Sequence, residues 1–136
     1  MRAGRARRIL LVDDHVDIQE GLARILTQEG VGCCSKAGGR QEALEAVHRE
    51  LPNLALVDLS PGTDVAPVLV AELSGRNIPV LVCSMHEESS CVRRALAAGA
   101  RGYITKREAS RDLSRAVRDV LDGCTLVSPR AAPGWR

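Results

Sequence analysis

Short, continuously apolar runs alternate along the chain with longer segments in which apolar residues recur every three or four positions. The runs begin near residues 8, 31, 53, 78 and 101, at spacings of 22 to 25 residues. Unbroken runs such as 54–57 are typical of parallel strands covered on both faces. Stripes such as 18, 22, 25 and 26, or 113, 117, 120 and 121, are typical of one-sided helices. The pattern therefore predicts five strands and five helices in strict alternation, which implies right-handed crossovers and helices on both faces of one parallel sheet.

The length and the two ends of the chain predict a single folded domain. A chain of 136 residues is long enough for one compact domain and too short for two ordinary ones. Residues 1–7 are expected to form a disordered basic tail, and residues 124–136, which include Pro129, Pro133 and Gly134, a linker or tail. The domain is predicted over residues 8–123, with the weakly apolar run 31–35 as an edge strand.

Composition argues against several classes of protein. Six of the 19 basic residues lie before Ile9 or after Pro129, so the formal charge of +2 hides a body with 13 basic and 17 acidic side chains. With no Phe, one Tyr and one Trp, this acidic body lacks both the charge and the stacking residues of a nucleic-acid surface. Five cysteines without a CxxC pair indicate neither a disulfide framework nor a zinc site. The apolar runs are too short to span a membrane and no secretory signal is seen, so we expect a cytoplasmic protein that does not contact membranes.

Polar and charged side chains follow four of the five predicted strands. Asp13 and Asp14 end the first run, Asp58 the third, Ser84 the fourth and Lys106 the fifth. In a doubly wound sheet the carboxyl ends of the strands meet near the point where the strand order reverses. Clustered carboxylates repel one another unless a cation joins them, and Mg²⁺ prefers oxygen ligands. An ammonium and a hydroxyl beside them are suited to phosphate oxygens.

Each of these residues also has a simpler explanation. Asp14, followed by Asp17, could cap a helix and charge its first turn, and Asp58 could cap a loop. Ser84 could be a small polar strand end, and Lys106 a solvated charge, although it is one of only two lysines among the 19 basic residues. The coincidence at four strand ends favours one shared site over four separate explanations.

With these residues in view, the chain resembles a response-regulator receiver domain, the phosphoacceptor module of two-component signalling. The similarity covers residues 8–123, and its motifs are residues 9–15 (ILLVDDH), 55–59 (ALVDL), 80–86 (VLVCSMH) and 97–106 (AAGARGYITK). The resemblance implies a flavodoxin-like, doubly wound α/β fold, with a five-stranded parallel sheet of order 2-1-3-4-5 and five helices.

The resemblance also implies a role for each matched residue. Asp58 accepts a phosphoryl group from a histidine kinase, with Mg²⁺ as the cofactor. The implied metal ligands are Asp13, Asp14, Asp58 and the backbone carbonyl of Ser60. Ser84 and Lys106 contact the phosphoryl oxygens, and Tyr103 turns inward when Ser84 moves. Such a domain is a signalling phosphoacceptor rather than an enzyme, because it catalyses only its own phosphorylation and slow dephosphorylation. Phosphorylation is also expected to promote a homodimer through the fourth and fifth helices.

The loop after Asp58 departs from the family pattern. It reads DLSPGTD over residues 58–64, with proline one place early, and Pro67 follows Ala66 where the family has glycine. We expect the third helix to start late or to be distorted there. This loop favours a competing function, a receiver-like protein-binding module that does not depend on phosphate. A third class, the aspartyl-phosphate hydrolases, needs a carboxylate two residues after the nucleophile, where this chain has Ser60.

The C-terminal stretch resembles the linker of NarL/FixJ-type transcriptional regulators, through residues 120–123 (VLDG) and 126–129 (LVSP). Those regulators carry a helix-turn-helix domain after the linker, and seven residues after Pro129 are too few for a DNA-binding domain. We expect a receiver that controls a transcriptional output, either as part of a longer regulator or as a free-standing receiver. His15 is not expected to approach the metal, and His86 is expected to be an exposed loop residue that tunes water access.

Overall fold

The computed structural model of the chain describes residues 7–58, 65–86 and 89–127. Its strands are β1 (Arg7–Val12), β2 (Gly32–Ala37), β3 (Leu54–Val57), β4 (Val80–Ser84), β5 (Gly102–Thr105) and β6 (Leu126–Val127). Its helices are α1 (Val16–Gln28), α2 (Arg40–Arg49), α3 (Val65–Gly75), α4 (Ser89–Ala97) and α5 (Lys106–Leu121). The predicted alternation is confirmed, and each of the first five strands begins within two residues of a predicted run.

All described strands belong to one parallel sheet of order β2-β1-β3-β4-β5-β6. The predicted order is therefore confirmed for five strands, and the sheet gains a sixth. The register aligns the carboxyl ends of the central strands, because Val12 pairs with both Ala37 and Val57, and Ser84 pairs with Thr105. Residues that follow these strands consequently meet at one edge of the sheet.

The sheet separates two apolar cores. Leu10 and Val12 of β1 pack into the core shared with α2, α3 and α4, whereas Ile9 and Leu11 pack into the core shared with α1 and α5. All four residues of β3 are buried. This two-sided burial explains why the strand sequences are continuously apolar rather than alternating.

The ends of two helices determine where the polar residues after β1 and β5 lie. His15, not Asp14, occupies the position before α1, and its side chain makes no capping hydrogen bond. The capping explanation for Asp14 is therefore not what the structure shows. At α5 a capping box joins Thr105 and Glu108, whose Oγ1 and Oε1 atoms are 2.7 Å apart, and Lys106 is the first helical residue.

The sixth strand lies in the stretch that the sequence assigned to a linker or tail. The Leu126 N–H donates to the Arg101 carbonyl at 3.0 Å, and Val127 pairs with Tyr103. A Cβ on Gly102 would lie 2.8 Å from Leu81 Cδ1 and 3.1 Å from the Leu126 carbonyl oxygen, so glycine permits this close approach. Leu126 and Val127 pack on opposite cores and extend the sheet past β5.

Two further expectations concern parts of the chain near the described boundaries. Pro67 is the third residue of α3, within its first turn, where a missing N–H is tolerated. The described helix begins at Val65 and includes Pro67, so it does not start after the proline, and the loop over residues 59–64 lies outside the described residues. Within the described ranges, no helix has both the length and the apolarity needed to cross a bilayer.

Candidate functional site

Three carboxylates from two strand ends converge on the edge of the sheet. Asp13 and Asp14 follow β1, Asp58 follows β3, and ligand atoms of these residues and of His15 all lie within 4.8 Å of one another. The Asp13 side chain is 3% exposed and that of Asp58 is 10% exposed, whereas Asp14 faces solvent. The predicted meeting of the acids is present in the structure, with one side of the cluster open to water.

Lys106 brings a positive charge to the two more buried acids. Its Nζ atom lies 3.0 Å from Asp13 Oδ2 and 3.1 Å from Asp58 Oδ1, and its side chain is 12% exposed. Burial lowers the pKa of Lys106, but hydrogen bonds and charges from Asp13 and Asp58 outweigh that effect and raise the pKa above 10.5. Lys106 is therefore an ammonium at neutral pH, placed between carboxylates of β1 and β3.

His15 lies closer to the acids than the sequence suggested. Its Nδ1 atom is 3.0 Å from Asp13 Oδ1 and 2.9 Å from Asp14 Oδ1, and its backbone N–H donates to Asp13 Oδ1 at 2.9 Å. The hydrogen bond to Asp13, followed by the charge of Asp14, raises the pKa of His15 above 6.5. The imidazole thus bridges the two acids on the solvent side of the cluster.

Ser84 and Tyr103 meet through the residues that follow β4. Ser84 is fully buried, and its hydroxyl oxygen accepts the His86 N–H at 3.1 Å. The hydroxyl of Tyr103, which is also fully buried, donates to the His86 carbonyl at 2.7 Å. Tyr103 therefore lies inward in this structure and holds the start of the β4–α4 connection. His86, expected to be exposed, is half-buried.

The Cys83 thiol, which lies next to the site, is a weak nucleophile. Burial raises the pKa of the Cys83 thiol to about 12, with Lys106 acting in the opposite direction. A thiol at this pKa stays protonated at neutral pH and is a poor nucleophile. Cys83 is therefore not expected to act as a nucleophile at this edge of the sheet.

Gln19, a buried polar residue of α1, was not predicted from the sequence. The predicted helical stripe runs through Ile18, Leu22, Ile25 and Leu26, but Ile18 is half-buried and Gln19 is buried. Gln19 precedes Leu22 by three positions and Leu26 by seven, so it lies on the same helical face. A polar residue at core spacing was the signal available in the sequence.

The donor set suits a hard divalent cation. Carboxylate oxygens from Asp13, Asp14 and Asp58 are the ligands that Mg²⁺ prefers, and a partly open site leaves room for the waters that Mg²⁺ retains. The fourth protein ligand implied by the family resemblance, the carbonyl of Ser60, lies outside the described residues. The residues described at the cluster thus fit a magnesium site.

Comparison with known proteins identifies the family. Residues 9–118 match the family described as the response regulator receiver domain. The chain belongs to this family. It is 35% identical over 133 residues to the probable transcriptional regulatory protein NarL of Mycobacterium tuberculosis, covering 93% of this chain and 60% of that protein. It is 40% identical over 124 residues to the transcriptional activator protein ExaE of Pseudomonas putida, covering 88% of this chain and 57% of that protein.

Solved structures agree with this family assignment. A two-component response regulator of the LuxR family from Aurantimonas sp. SI85-9A1 superposes with a TM-score of 0.86 at 28% identity, over 95% of this chain and 94% of that one. The signal receiver domain of NarL from Mycobacterium tuberculosis gives a TM-score of 0.76 at 30% identity, over 88% and 98% of the two chains. These relatives confirm the predicted receiver fold and NarL/FixJ-type subfamily. The chain spans about 60% of the length of the curated relatives named above.

Proposed function

We propose that Asp58 accepts a phosphoryl group from a histidine kinase in the presence of Mg²⁺, and that the resulting conformational change controls a transcriptional output. One observation carries the proposal: Lys106 lies 3.1 Å from Asp58 and 3.0 Å from Asp13 in a cluster that also contains Asp14. A carboxylate nucleophile, two further acids and a fixed ammonium are the groups that phosphoryl transfer to an aspartate needs, because that reaction depends on alignment and charge neutralisation.

The proposed transfer exchanges one phosphorus bond for another. A carboxylate oxygen of Asp58 attacks the phosphorus of a phosphohistidine, a P–O bond forms, and the P–N bond breaks. The electron pair of the broken bond stays on the kinase imidazole, which takes up a proton. The product on Asp58 is an acyl phosphate. Lys106 offsets the charge that accumulates on the transferred oxygens, and the Ser84 hydroxyl donates a hydrogen bond to one of them.

Asp13, Asp14 and Asp58, together with the Ser60 carbonyl, are the residues that would hold Mg²⁺. When bound, Mg²⁺ supplies Lewis-acid neutralisation of the phosphoryl oxygens. The positions of the acids determine where the cation would bind. Asp13 is held in place by the Lys106 ammonium and by the His15 backbone N–H. The Asp58 carboxylate therefore lies beside the Lys106 ammonium before a phosphodonor binds.

The acyl phosphate is proposed to last long enough to signal. An enzyme that hydrolyses such an intermediate quickly needs a general acid or base beside it, and the position two residues after Asp58 holds Ser60. Cys83, whose pKa burial raises to about 12, offers no thiolate to attack it. Slow loss of the phosphoryl group is therefore expected.

The proposed switch runs from Ser84 to β5 and β6. Ser84 and Tyr103 both bind the backbone of His86, so a shift of Ser84 toward a phosphoryl oxygen changes the contact that holds Tyr103. Tyr103 pairs with Val127, and β6 precedes any segment that follows the domain. The names of the relatives NarL and ExaE describe transcriptional regulators, which supports a transcriptional output. We further propose that phosphorylation favours a homodimer through α4 and α5.

The decisive experiment is incubation with acetyl phosphate and Mg²⁺, followed by intact-mass measurement. We expect the wild type and Asp17→Asn to gain one phosphoryl group, because Asp17 lies on the exposed first turn of α1, outside the cluster. Asp58→Asn should gain none. A wild type that stays unmodified would replace this proposal with the phosphate-independent binding module, and equal modification of Asp58→Asn would remove Asp58 as the acceptor.

A further inference from the structure

Gln19 is a buried polar residue that connects three elements next to the acidic cluster. It lies in the first turns of α1 and is 6% exposed. A buried amide is costly unless its hydrogen-bonding groups are satisfied. Its Nε2 atom donates to the carbonyl of Asp13 at 2.7 Å and to the carbonyl of Ala37 at 2.8 Å. The side chain therefore reaches the ends of both β1 and β2 from α1, the helix that connects these two strands.

These hydrogen bonds belong to a network that includes both backbone polar groups of Asp13. The Asp13 N–H also donates to the Ala37 carbonyl, at 3.0 Å, so both peptide groups of Asp13 are fixed. The carboxylate is fixed separately, by the His15 N–H on Oδ1 and by Lys106 on Oδ2. With the backbone tied by Gln19, the direction in which Asp13 and Asp14 leave β1 is determined.

We infer that Gln19 is a positioning residue for the metal site, acting through the Asp13 backbone. This inference rests on the function proposed above, in which Asp13 and Asp14 hold Mg²⁺. The chemistry favours glutamine at this position because one amide nitrogen carries two hydrogens for two carbonyls, whereas glutamate offers no such pair and an apolar side chain offers no donor. Outer groups that orient metal ligands affect metal affinity strongly.

If Gln19 only stabilised the fold, any substitution that destabilises α1 to a similar degree should weaken Mg²⁺ binding equally. A matched control variant in the same helix tests this. Gln19→Met keeps the length of the side chain but removes both donors. Leu26→Val, at a fully buried site nearer the other end of α1, destabilises the same helix by packing alone. The measurements are Mg²⁺ affinity by calorimetric titration and the rate of Asp58 phosphorylation by acetyl phosphate as a function of Mg²⁺ concentration.

We expect Gln19→Met to weaken Mg²⁺ binding by about tenfold, the loss that supporting partners of metal ligands typically produce. Its phosphorylation rate should return toward the wild-type rate at saturating Mg²⁺, because the nucleophile and Lys106 are unchanged. Leu26→Val should bind Mg²⁺ as the wild type does. If Gln19→Met does not fold, Gln19→Asn serves instead, since its shorter amide cannot reach both carbonyls.

Wild-type Mg²⁺ affinity in the folded Gln19 variant would overturn the inference and leave the proposed function intact. Equal weakening in Leu26→Val would also overturn it, because the effect would then follow helix stability. A wild-type chain that binds no Mg²⁺ would remove the proposed function and this inference together.

Discussion

Replacing Lys106 by methionine is the sharpest test of the electrostatics of the site. Methionine has a similar length and keeps the packing of the stem, but it removes the ammonium that lies 3.0 Å from Asp13 and 3.1 Å from Asp58. The two carboxylates then face each other without their shared cation. We expect the variant to fold with a lower free energy of unfolding.

The magnitude follows from the distances and the exposure. At an effective dielectric constant of about 20, two unit charges about 3 Å apart interact by roughly 5 kcal/mol, and desolvation offsets much of this gain. Removing one partner of a fully buried pair costs about 3–5 kcal/mol. Because one side of this cluster is open to water, we expect a loss of about 2–3 kcal/mol at pH 7. The folded pKa of Lys106 is raised above 10.5, so its contribution is complete below pH 10.5 and is lost only as the pH rises through the folded pKa.

Urea denaturation with and without Mg²⁺ measures this loss. Lys36→Met is the matched control, because Lys36 is the other lysine of the chain and is exposed in β2. We expect Mg²⁺ to narrow the gap between Lys106→Met and wild type, since a divalent cation replaces the missing charge. At a concentration of 100 times its dissociation constant, Mg²⁺ would stabilise the folded state by about 2.7 kcal/mol. A loss below about 0.5 kcal/mol, the usual effect of a surface substitution, would refute this reasoning.

Two further predictions concern groups on either side of the cluster. Tyr103→Phe keeps the buried ring but loses the 2.7 Å hydrogen bond to the His86 carbonyl, so we expect about 1 kcal/mol less stability and faster amide exchange at His86; unchanged exchange would separate Tyr103 from the β4–α4 connection. His15 should titrate by NMR above pH 6.5 without Mg²⁺, because its hydrogen bond to Asp13 and the charge of Asp14 raise its pKa. Its stabilising contribution is then full below pH 6.5 and is lost as the pH rises through the folded value, so a pKa at or below 6.5 would contradict the bridging geometry.

The sheet was predictable because its strands are buried on both faces. Short runs that are apolar at every position, such as 54–57, indicate strands with both faces buried. The residues after these runs are polar because the chain leaves the core there. The same logic placed Asp58 and Lys106 at one edge, although they are far apart in sequence. The apolar runs did not predict the distances between these side chains, because those distances depend on the register of β1, β3 and β5.

The sixth strand and Gln19 escaped prediction for different physical reasons. β6 has two residues, too few for a periodic signal, and its docking depends on space left by Gly102. The helical stripe of α1 was drawn from apolar residues alone, so a buried amide on the same face was passed over. Both features also depend on contacts between different elements of the fold, which a local sequence pattern does not contain.

In the proposed function, the charge at the site would connect stability to signalling. Asp13, Asp14 and Asp58 are three carboxylates against the single ammonium of Lys106, which leaves a formal charge of −2 when His15 is neutral. These four described side chains therefore carry a net negative charge together. A divalent cation would balance this charge, and a phosphoryl group on Asp58 would then restore a negative charge within reach of Lys106. Because Asp13 and Asp58 share Lys106, a new anion on Asp58 competes with Asp13 for that ammonium. Phosphorylation should accordingly loosen the Asp13–Lys106 contact, linking the chemistry at β3 to the start of α5 without any large movement of the sheet.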